Sequence, residues 1–392
     1  MADSCRKRWI ILLVAALVST CPVRAQTPFR FPEGKHGKGE LKYEHGIPIL
    51  RVEGDPNEIG AQIAVLAVKP AKRVLDYPRN LLERLDIEGV LPILAWAGQS
   101  MLPQFPADHR KELDAIIQAG VERRSMVLGN TMFDLKQMFA CSALVVGPSR
   151  SSTNEVLVGR NLDFPSLGYI QEYSLVTVYH TPGKHAFASI GFPGLVGCLS
   201  GMNDAGLCLG VLEVAHVKDG EKRFDGSGTP FALCYRRLLE ECATVEEAEK
   251  LLRSMKRTTL TNLAIGDPKR AVIFEISPQS VVVREPADEL CSCTNHFCTA
   301  QLKPAFQPDI FWTHERFDEL EKIRKLPKVG IEDMHKSLHA VSVRNHTLQT
   351  MIFEPAKLRM HLAIGACPAS AKELTALDLA SLFKKTEMPP SK

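Results

Sequence analysis

Residues 139–146 read FACSALVV, and residues 158–165 read VGRNLDFP. The first stretch is apolar beyond its cysteine, and the polar run PSRSSTN between the two is typical of a turn. The pattern predicts a β-hairpin in which Cys141 opens the first strand. Because antiparallel partners run side by side, a cysteine at the start of one strand comes close to residues at the end of the other. Arg160 and Asp163 occupy that end.

This hairpin brings together residue types that can carry nucleophilic chemistry. An arginine beside a cysteine favours the thiolate, which is the nucleophilic form of the side chain. An aspartate in the same place can orient an amine or the arginine. The same residues also fit a core cysteine next to a surface Arg–Asp ion pair, and the spacing alone does not separate these two interpretations.

The chain on either side of the hairpin differs in character. Residues 26–40 are rich in Pro, Gly and Lys and predict a disordered leader, whereas apolar residues recur at helical spacing between residues 43 and 139. After the hairpin, short Val- and Ile-rich segments alternate with turn residues and with helical blocks at residues 230–242 and 314–325. Strand hairpins flanked by helices predict an α+β layered sandwich.

The first residues predict an export signal. A basic cluster at residues 6–8 precedes the apolar run WIILLVAALV at residues 9–18, and small residues at positions 23 and 25 predict cleavage before Gln26. We therefore expect a signal peptide over residues 1–25 and a secreted or periplasmic protein. An uncleaved anchor is the alternative, although the run is short for a bilayer span. No later stretch is apolar over the ~18 residues that a span needs, so none is expected after signal removal.

Composition and charge indicate a globular protein without a nucleic-acid-binding surface. The chain of 392 residues is 45% hydrophobic and 24% charged, which is ordinary for a globular protein. Its formal net charge of +3 arises in residues 1–25, the predicted signal peptide. These residues include four basic side chains and one acidic one, Asp3, so the remainder of the chain carries equal numbers of basic and acidic residues. We therefore expect no nucleic-acid partner.

The cysteines by themselves do not select a function. Of the 11 cysteines, Cys5 and Cys21 lie in the predicted signal peptide, which leaves an odd number in an oxidising compartment. Cys291, Cys293 and Cys298 crowd one segment, but no second Cys/His pair of metal-ligand spacing lies nearby. No metal site is predicted.

Four short motifs follow one another along the chain. Cys141-Ser142 is followed by GRNLDFP at residues 159–165, MNDAGL at residues 202–207 and TNHF at residues 294–297. In this order they resemble the signature of the N-terminal nucleophile (Ntn) hydrolases of the choloylglycine hydrolase superfamily. The chain is most similar to the autoproteolytic branch, which includes isopenicillin-N acyltransferase-type peptidases, acid ceramidase and N-acylethanolamine acid amidase. The resemblance covers roughly residues 45–365.

The resemblance implies a fold, a division of the chain and a maturation step. The fold is a four-layer αββα sandwich, with a helical prosegment at residues 26–140 and a catalytic region at residues 141–392. Autoproteolysis between Ala140 and Cys141 would make Cys141 a new N-terminus. An α-amine has an intrinsic pKa of roughly 7.7–8.0 and can act as general base for its own thiol. No cofactor is therefore required.

The resemblance also implies roles for individual residues. Cys141 is the nucleophile, Arg160 stabilises the thiolate or polarises the substrate, and Asp163 holds the new α-amine. Asn203 and Asn295 aim N–H groups at the oxyanion, and the loss of one such donor typically costs ~10²–10³ in turnover. Asn203 is also typical of an ordinary turn, and Asn295 could merely cap a strand end.

A late arginine completes the predicted site. The superfamily carries a catalytic arginine at the start of a helix in a segment like Ser-Arg-Phe, and HERF at residues 314–317 is similar to it. Arg316 shares a helical face with Leu320 and Ile323, which is an unusual place for a charge. Arg344 is the alternative.

These observations predict an exported, autoproteolytic cysteine hydrolase that cleaves linear, non-peptide amides of small molecules through an acyl-enzyme. An acyltransferase that moves an acyl group from a thioester or amide donor to an amine shares that intermediate and remains open. A catalytically silent binding protein is the alternative from another class, and the intact set of site residues argues against it. A papain-like protease needs a cysteine on a helix, whereas Cys141 opens a strand. Bile-salt amides, N-acyl amines, ceramides, β-lactam side chains and acylated amino acids are all candidate substrates, and no oligomeric state is predicted.

Overall fold

The computed structural model describes residues 28–135, 140–306 and 308–384. The predicted export signal at residues 1–25 lies outside these residues. Sixteen strands are present in the described chain. They are β1 (Gly34–His36), β2 (Gly39–Glu44), β3 (Ile47–Glu53), β4 (Ser142–Val146), β5 (Leu157–Asp163), β6 (Leu175–His180), β7 (Phe187–Gly191), β8 (Ser200–Asn203), β9 (Cys208–Glu213), β10 (Thr261–Gly266), β11 (Ala271–Ile276), β12 (Val281–Arg284), β13 (Leu290–Cys293), β14 (Thr347–Glu354), β15 (Arg359–Ala363) and β16 (Thr375–Asp378).

The α-helices fall into a group before the hairpin and a group after it. Short 3₁₀ and π turns connect several of them. The helices of the described chain are α1 (Pro56–Ile63), α2 (Tyr77–Arg84), α3 (Leu91–Met101), α4 (Ala107–Gln118), α5 (Arg123–Leu135), α6 (Phe231–Glu241), α7 (Val245–Ser254), α8 (Thr313–Glu321), α9 (Ile331–Ala340) and α10 (Leu379–Leu382).

The strands form two sheets. The larger has ten strands in the order β1-β2-β3-β6-β7-β8-β9-β10-β11-β12, and the smaller has six in the order β13-β4-β5-β14-β15-β16. Strand β3 pairs in parallel with β6, and the other ladders of the described chain are antiparallel. The predicted hairpin is confirmed, because β4 pairs with β5 and both strands lie in the interior of the smaller sheet.

Four layers of secondary structure result. The sheets face each other where β4 and β5 meet β9, β10 and β11. Helix α9 lies on the outer face of the smaller sheet, and α1, α6 and α7 contact the larger one. Gly159 of β5 lets α9 approach closely, since a β-carbon there would lie only 2.7 Å from Met334 Cε. The predicted α+β class with an αββα sandwich is confirmed.

One sequence-based prediction about the N-terminal part is wrong. Strands β1 to β3 occupy residues 34–53, where the sequence indicated a disordered leader followed by helix. The glycines that suggested disorder make tight hairpin turns, because Gly37 and Gly46 adopt positive φ angles of 56° and 82°. Within the described residues, the first helix begins at Pro56. Residues before and after the hairpin therefore share one sheet.

A buried ionic network also joins the two parts of the chain. Arg236 of α6 donates to both carboxylate oxygens of Glu112 on α4, at 3.0 and 2.7 Å, and to Glu240 at 2.8 Å. His109 Nε2 lies 3.0 Å from Glu240 as well. These side chains are at most 3% exposed. Charges removed from water at this depth are stabilised only by such partners.

Glu112→Ala should lower the free energy of unfolding by about 3–5 kcal/mol, because it leaves the guanidinium of Arg236 buried and partly uncompensated. Glu241→Ala is the matched control, since Glu241 pairs with Arg237 on the same helix at the surface. Its effect should stay within about 1 kcal/mol. Denaturant unfolding measures both changes in a Cys141→Ala chain, which is expected to stay uncut. Equal losses would contradict a special role for the buried pair.

Candidate active site

Cys141 lies just before β4, and its sulfur is held by a buried arginine. Arg160 Nη2 donates to Cys141 Sγ at 2.9 Å, while Nη1 donates to Leu199 O at 3.0 Å and Ser200 Oγ at 2.7 Å. Arg160 is fully buried. Gly210 makes room for it, because a β-carbon at that position would lie 2.6 Å from Arg160 Cδ. The predicted pairing of Cys141 with Arg160 is present in the structure.

Electrostatics keep the sulfur protonated in the uncut chain. Burial raises the pKa of the Cys141 thiol to about 11, and the guanidinium of Arg160 only partly offsets this. The carboxylates of Asp163 and Glu213 raise the pKa further. A base must therefore remove the proton before or during nucleophilic attack.

Asp163 ends strand β5 with one carboxylate oxygen in use. Its Oδ1 accepts a hydrogen bond from Thr347 Oγ1 at 2.6 Å, whereas its buried Oδ2 has no hydrogen-bond partner among the described residues. Its carbonyl oxygen accepts from the N–H of Ala140 at 3.1 Å. Burial raises the pKa of the carboxyl group to about 7, although Arg316, Thr347 and Arg160 oppose the shift. One carboxylate oxygen of Asp163 is thus buried and uncommitted among the described residues.

Arg316 of α8 grips the backbone on both sides of the Ala140–Cys141 peptide bond. Its Nη1 donates to Ala140 O at 2.9 Å and to Cys141 O at 2.7 Å. Its Nη2 donates to Asn295 Oδ1 at 2.7 Å, and its Nε to Phe311 O at 2.9 Å. A guanidinium in this position polarises the carbonyl that precedes Cys141.

Asn295 lies in the site, but its side-chain oxygen accepts a hydrogen bond there, whereas the predicted role was to donate an N–H group. Besides accepting from Arg316, it donates from Nδ2 to the carbonyl oxygen of Glu213 at 2.9 Å. Its backbone N–H donates to Thr313 Oγ1 at 2.9 Å. In the uncut chain Asn295 therefore fixes the guanidinium of Arg316.

The predicted oxyanion role of Asn203 does not fit this geometry. Its Nδ2 donates to the carbonyl oxygens of Leu239 at 3.0 Å and Cys242 at 2.7 Å, and its Oδ1 accepts from the backbone N–H groups of Ala205 and Leu207. Both amide hydrogens are thus committed to backbone acceptors. Asn203 joins the turn after β8 to the end of α6, which is the structural alternative.

Of the two candidate late arginines, the structure brings only Arg316 to Cys141. Arg344 lies exposed in the loop before β14. Sequence reasoning missed Thr347 and Glu213, which carry no motif. Glu213 could have been found from its place at the buried end of a strand. Thr347 could not, because its position opposite Asp163 depends on an irregularity in the ladder.

The site is closed to external ligands in the uncut chain. Ala140 and Cys141 are both 0% exposed. Phe164, next to Asp163, lines an apolar cavity of about 60 Å³ together with Tyr77 and Phe133. Within the described ranges, no group of three His, Cys, Asp or Glu side chains is arranged to hold a metal ion. Nor does any helix there combine the length and apolarity of a bilayer crossing.

Comparison with known proteins identifies the family. Residues 150–367 match the model of the acyl-coenzyme A:6-aminopenicillanic acid acyl-transferase family, which is more than half of the chain. The chain belongs to this family. The match includes every predicted catalytic residue except Cys141, and it confirms the resemblance to Ntn hydrolases. The protein is therefore an enzyme of an acyl-transferase family. No curated protein sequence matches the chain.

Many solved structures are similar to it, and three of them illustrate the range. A conjugated bile acid hydrolase from Clostridium perfringens is 14% identical with a TM-score of 0.41, over 62% of this chain and 93% of the other. Penicillin V acylase from Agrobacterium tumefaciens is 16% identical with a TM-score of 0.42, over 57% and 83%. The N-acylethanolamine-hydrolyzing acid amidase orthologue of Caenorhabditis elegans is 16% identical with a TM-score of 0.42, over 55% and 93%.

Proposed function

We propose that this chain is an exported enzyme that cuts itself between Ala140 and Cys141 and then uses the thiol of Cys141 to cleave linear, non-peptide amides. One observation carries the proposal. The guanidinium of Arg316 holds the carbonyl oxygen of Ala140, while the guanidinium of Arg160 holds the sulfur that follows it. A peptide carbonyl polarised next to a buried nucleophile is suited to attack by that nucleophile.

Self-cleavage begins with an acyl shift from nitrogen to sulfur. The Cys141 sulfur attacks the Ala140 carbonyl carbon, and Arg316 stabilises the negative charge that develops on the oxygen. The C–N bond then breaks, the nitrogen becomes an amine and a thioester links Ala140 to the sulfur. Water hydrolyses the thioester, which releases the carboxylate of Ala140 and the free thiol. The attack is intramolecular and needs no ligand to enter the closed site.

Cleavage creates the groups that turnover requires. The cut frees the α-amine of Cys141, and Asp163 is proposed to hold it. The neighbouring N–H of Ala140 already donates to the carbonyl oxygen of Asp163, whose side-chain Oδ2 has no partner among the described residues. An amine near neutrality removes the thiol proton, which burial otherwise retains. Once Ala140 withdraws, Arg316 is free to bind the carbonyl oxygen of a substrate. The substrate transfers its acyl group to sulfur, and water releases the acid.

Acyl transfer to an amine is the second candidate function, and the description of the family favours it. Both reactions pass through the same acyl-enzyme and differ only in the acceptor. Supplying the mature enzyme with an amide substrate and an excess of a second amine separates them. A new amide indicates transfer, whereas free acid alone indicates hydrolysis.

The purified mature protein should consist of two chains, residues 26–140 and 141–392, that elute together. They should stay associated because β1 to β3 share a sheet with later strands and α4 is tied to α6 by the Arg236 network. Intact mass spectrometry under denaturing conditions identifies the cleavage site. Size-exclusion chromatography under native conditions shows whether the two chains stay associated. A fully active protein that begins at Gln26 and runs uncut would overturn the proposal.

A further inference from the structure

Strand β14 is irregular where it passes Asp163. Gln349 pairs with Leu162, and Thr347 pairs with Asp163, so Leu348 has no partner in the ladder. A regular antiparallel register would have placed Leu348 opposite the aspartate. Bulges of this kind re-aim side chains and are frequent next to active sites. Here the bulge places a hydroxyl where a leucine would otherwise stand.

The surroundings of Thr347 fix the direction of its hydroxyl proton. Thr347 Oγ1 accepts from the backbone N–H of Val343 at 2.9 Å. Its own proton can go to Asp163 Oδ1 at 2.6 Å or to Val343 O at 3.3 Å. The shorter contact has a carboxylate oxygen as acceptor, which makes the stronger bond. Thr347 therefore donates to Oδ1, and Oδ1 acts as an acceptor.

While Thr347 donates to Oδ1, a proton that binds this carboxyl group binds at Oδ2. Oδ1 is occupied as an acceptor, and Oδ2 has no partner among the described residues. The charged and titratable groups around Asp163 are Arg160 on its own strand, Arg316 from α8, and the thiols of Cys141 and Cys367. Burial outweighs the two guanidinium groups, so the carboxyl group still titrates with a pKa of about 7.

We propose that Thr347 is a positioning residue that confines the proton of Asp163 to Oδ2, from which the carboxyl group protonates the nitrogen of Cys141 during self-cleavage. The inference rests on the proposed function, because it concerns the self-cleavage step. In that step the C–S bond forms, the C–N bond breaks, the nitrogen gains the Oδ2 proton and the thiol loses one. The thiol proton restores the carboxyl group, so no proton is consumed.

The pH dependence of self-cleavage tests the role of Thr347. Full-length chain made by cell-free translation is chased at each pH, and the cut fraction is read on a denaturing gel. For the wild type, the rate should fall as pH rises through about 7, because the acid form of Asp163 is lost. Thr347→Val removes a hydrogen bond that stabilises the carboxylate. The falling limb should therefore move to higher pH, because the pKa of Asp163 rises.

The rate below that limb should also fall in Thr347→Val by about tenfold, a part of the ~10²–10⁴ that acid–base catalysis supplies, because the proton is no longer confined to Oδ2. Thr347→Ser keeps the hydroxyl and should match the wild type in both rate and limb. Thr350→Val is the control on the same strand, since Thr350 Oγ1 donates to Asn161 Oδ1 at 2.8 Å instead. It should leave the limb in place.

The outcomes separate this inference from the proposed function. A wild-type chain that never cuts itself would overturn both the proposed function and the role of Thr347. A wild type that cuts itself while Thr347→Val keeps the same rate and limb, or while Thr350→Val shifts the limb equally, overturns the role of Thr347 alone.

A second measurement needs no change at Thr347. In the uncut Cys141→Ala chain, the infrared carbonyl band of protonated Asp163 is assigned by its loss in the additional variant Asp163→Asn. A hydrogen-bonded carbonyl frequency supports a proton on Oδ2, because Oδ1 then accepts from Thr347. A free carbonyl frequency indicates a proton on Oδ1 and overturns the inference.

Discussion

Cys141→Ala should yield a single uncut chain that turns over no amide. One sulfur is proposed to perform both reactions, so its removal should abolish self-cleavage and turnover together, within the detection limit of mass spectrometry and product analysis. The protein should remain folded, because the change removes only the small thiol and its contacts with Arg160 Nη2 at 2.9 Å and the backbone of Asp163. Circular dichroism and thermal unfolding check that point.

Cys198→Ala is the matched control for this variant. Cys198 is equally buried, its thiol pKa is raised to about 11 as well, and it also lies within the influence of Arg160. The difference is that Arg316 holds the carbonyl oxygen that precedes Cys141 and does not hold the one that precedes Cys198. This variant should cut itself and turn over substrate as the wild type does. Loss of activity in Cys198→Ala with retention in Cys141→Ala would show that the site had been assigned to the wrong cysteine.

Cys141→Ser separates the two reactions. A hydroxyl is far less ionised than a thiol near neutral pH, so both steps should slow. Self-cleavage has the advantage of an intramolecular attack in a geometry that the fold maintains, and it should proceed slowly. Turnover of an external amide lacks that advantage. We therefore expect partial processing over days with turnover lower by at least about 10²-fold, which time-resolved gels and a substrate assay measure.

The architecture was predictable from sequence wherever the chain's own pattern determines the structure. The apolar run after Cys141 becomes a strand buried on both faces, and the polar run between the two strands becomes their turn. The error at residues 34–53 has a physical cause. Glycine supplies both disorder and positive-φ turns, and only the pairing of β2 with β3 and of β3 with β6 distinguishes them. Such pairing depends on residues far away in sequence.

In the site too, local contacts were predictable from the sequence and contacts between distant segments were not. Arg160 could be associated with Cys141 because both belong to one hairpin, and β4–β5 register then determines their contact. Arg316 could be predicted only through the resemblance, because its contact with Ala140 joins elements 176 residues apart. Asn203 was misjudged because its motif marks a turn, and the sequence does not show which carbonyl groups will occupy its amide. The role of Thr347 could not be predicted from the sequence, because a bulge of one residue decides which side chain lies opposite Asp163.

Arg316→Met should slow self-cleavage by about 10²–10³-fold, the usual cost of losing an oxyanion donor. The guanidinium is the only group shown to donate to the Ala140 carbonyl oxygen among the described residues, and it also lowers the pKa of Asp163. Methionine fills a similar volume without donors or charge. The falling limb of the pH profile should therefore shift to higher pH as well, because Asp163 loses a neighbouring positive charge.

Arg316→Lys keeps the charge but not the fork that reaches Ala140, Cys141 and Asn295 together. Compared with Arg316→Met, it should recover part of the rate of self-cleavage, and its falling limb should lie close to the pH of the wild-type limb. The position of the limb then reports the charge, and the rate reports the geometry. Arg344→Met is the control, because it removes the alternative arginine from the exposed loop before β14. It should cut itself at the wild-type rate. Slow self-cleavage in Arg344→Met with a wild-type rate in Arg316→Met would contradict the mechanism. Attack on the Ala140 carbonyl would then not depend on Arg316, and the proposed source of oxyanion stabilisation would be lost.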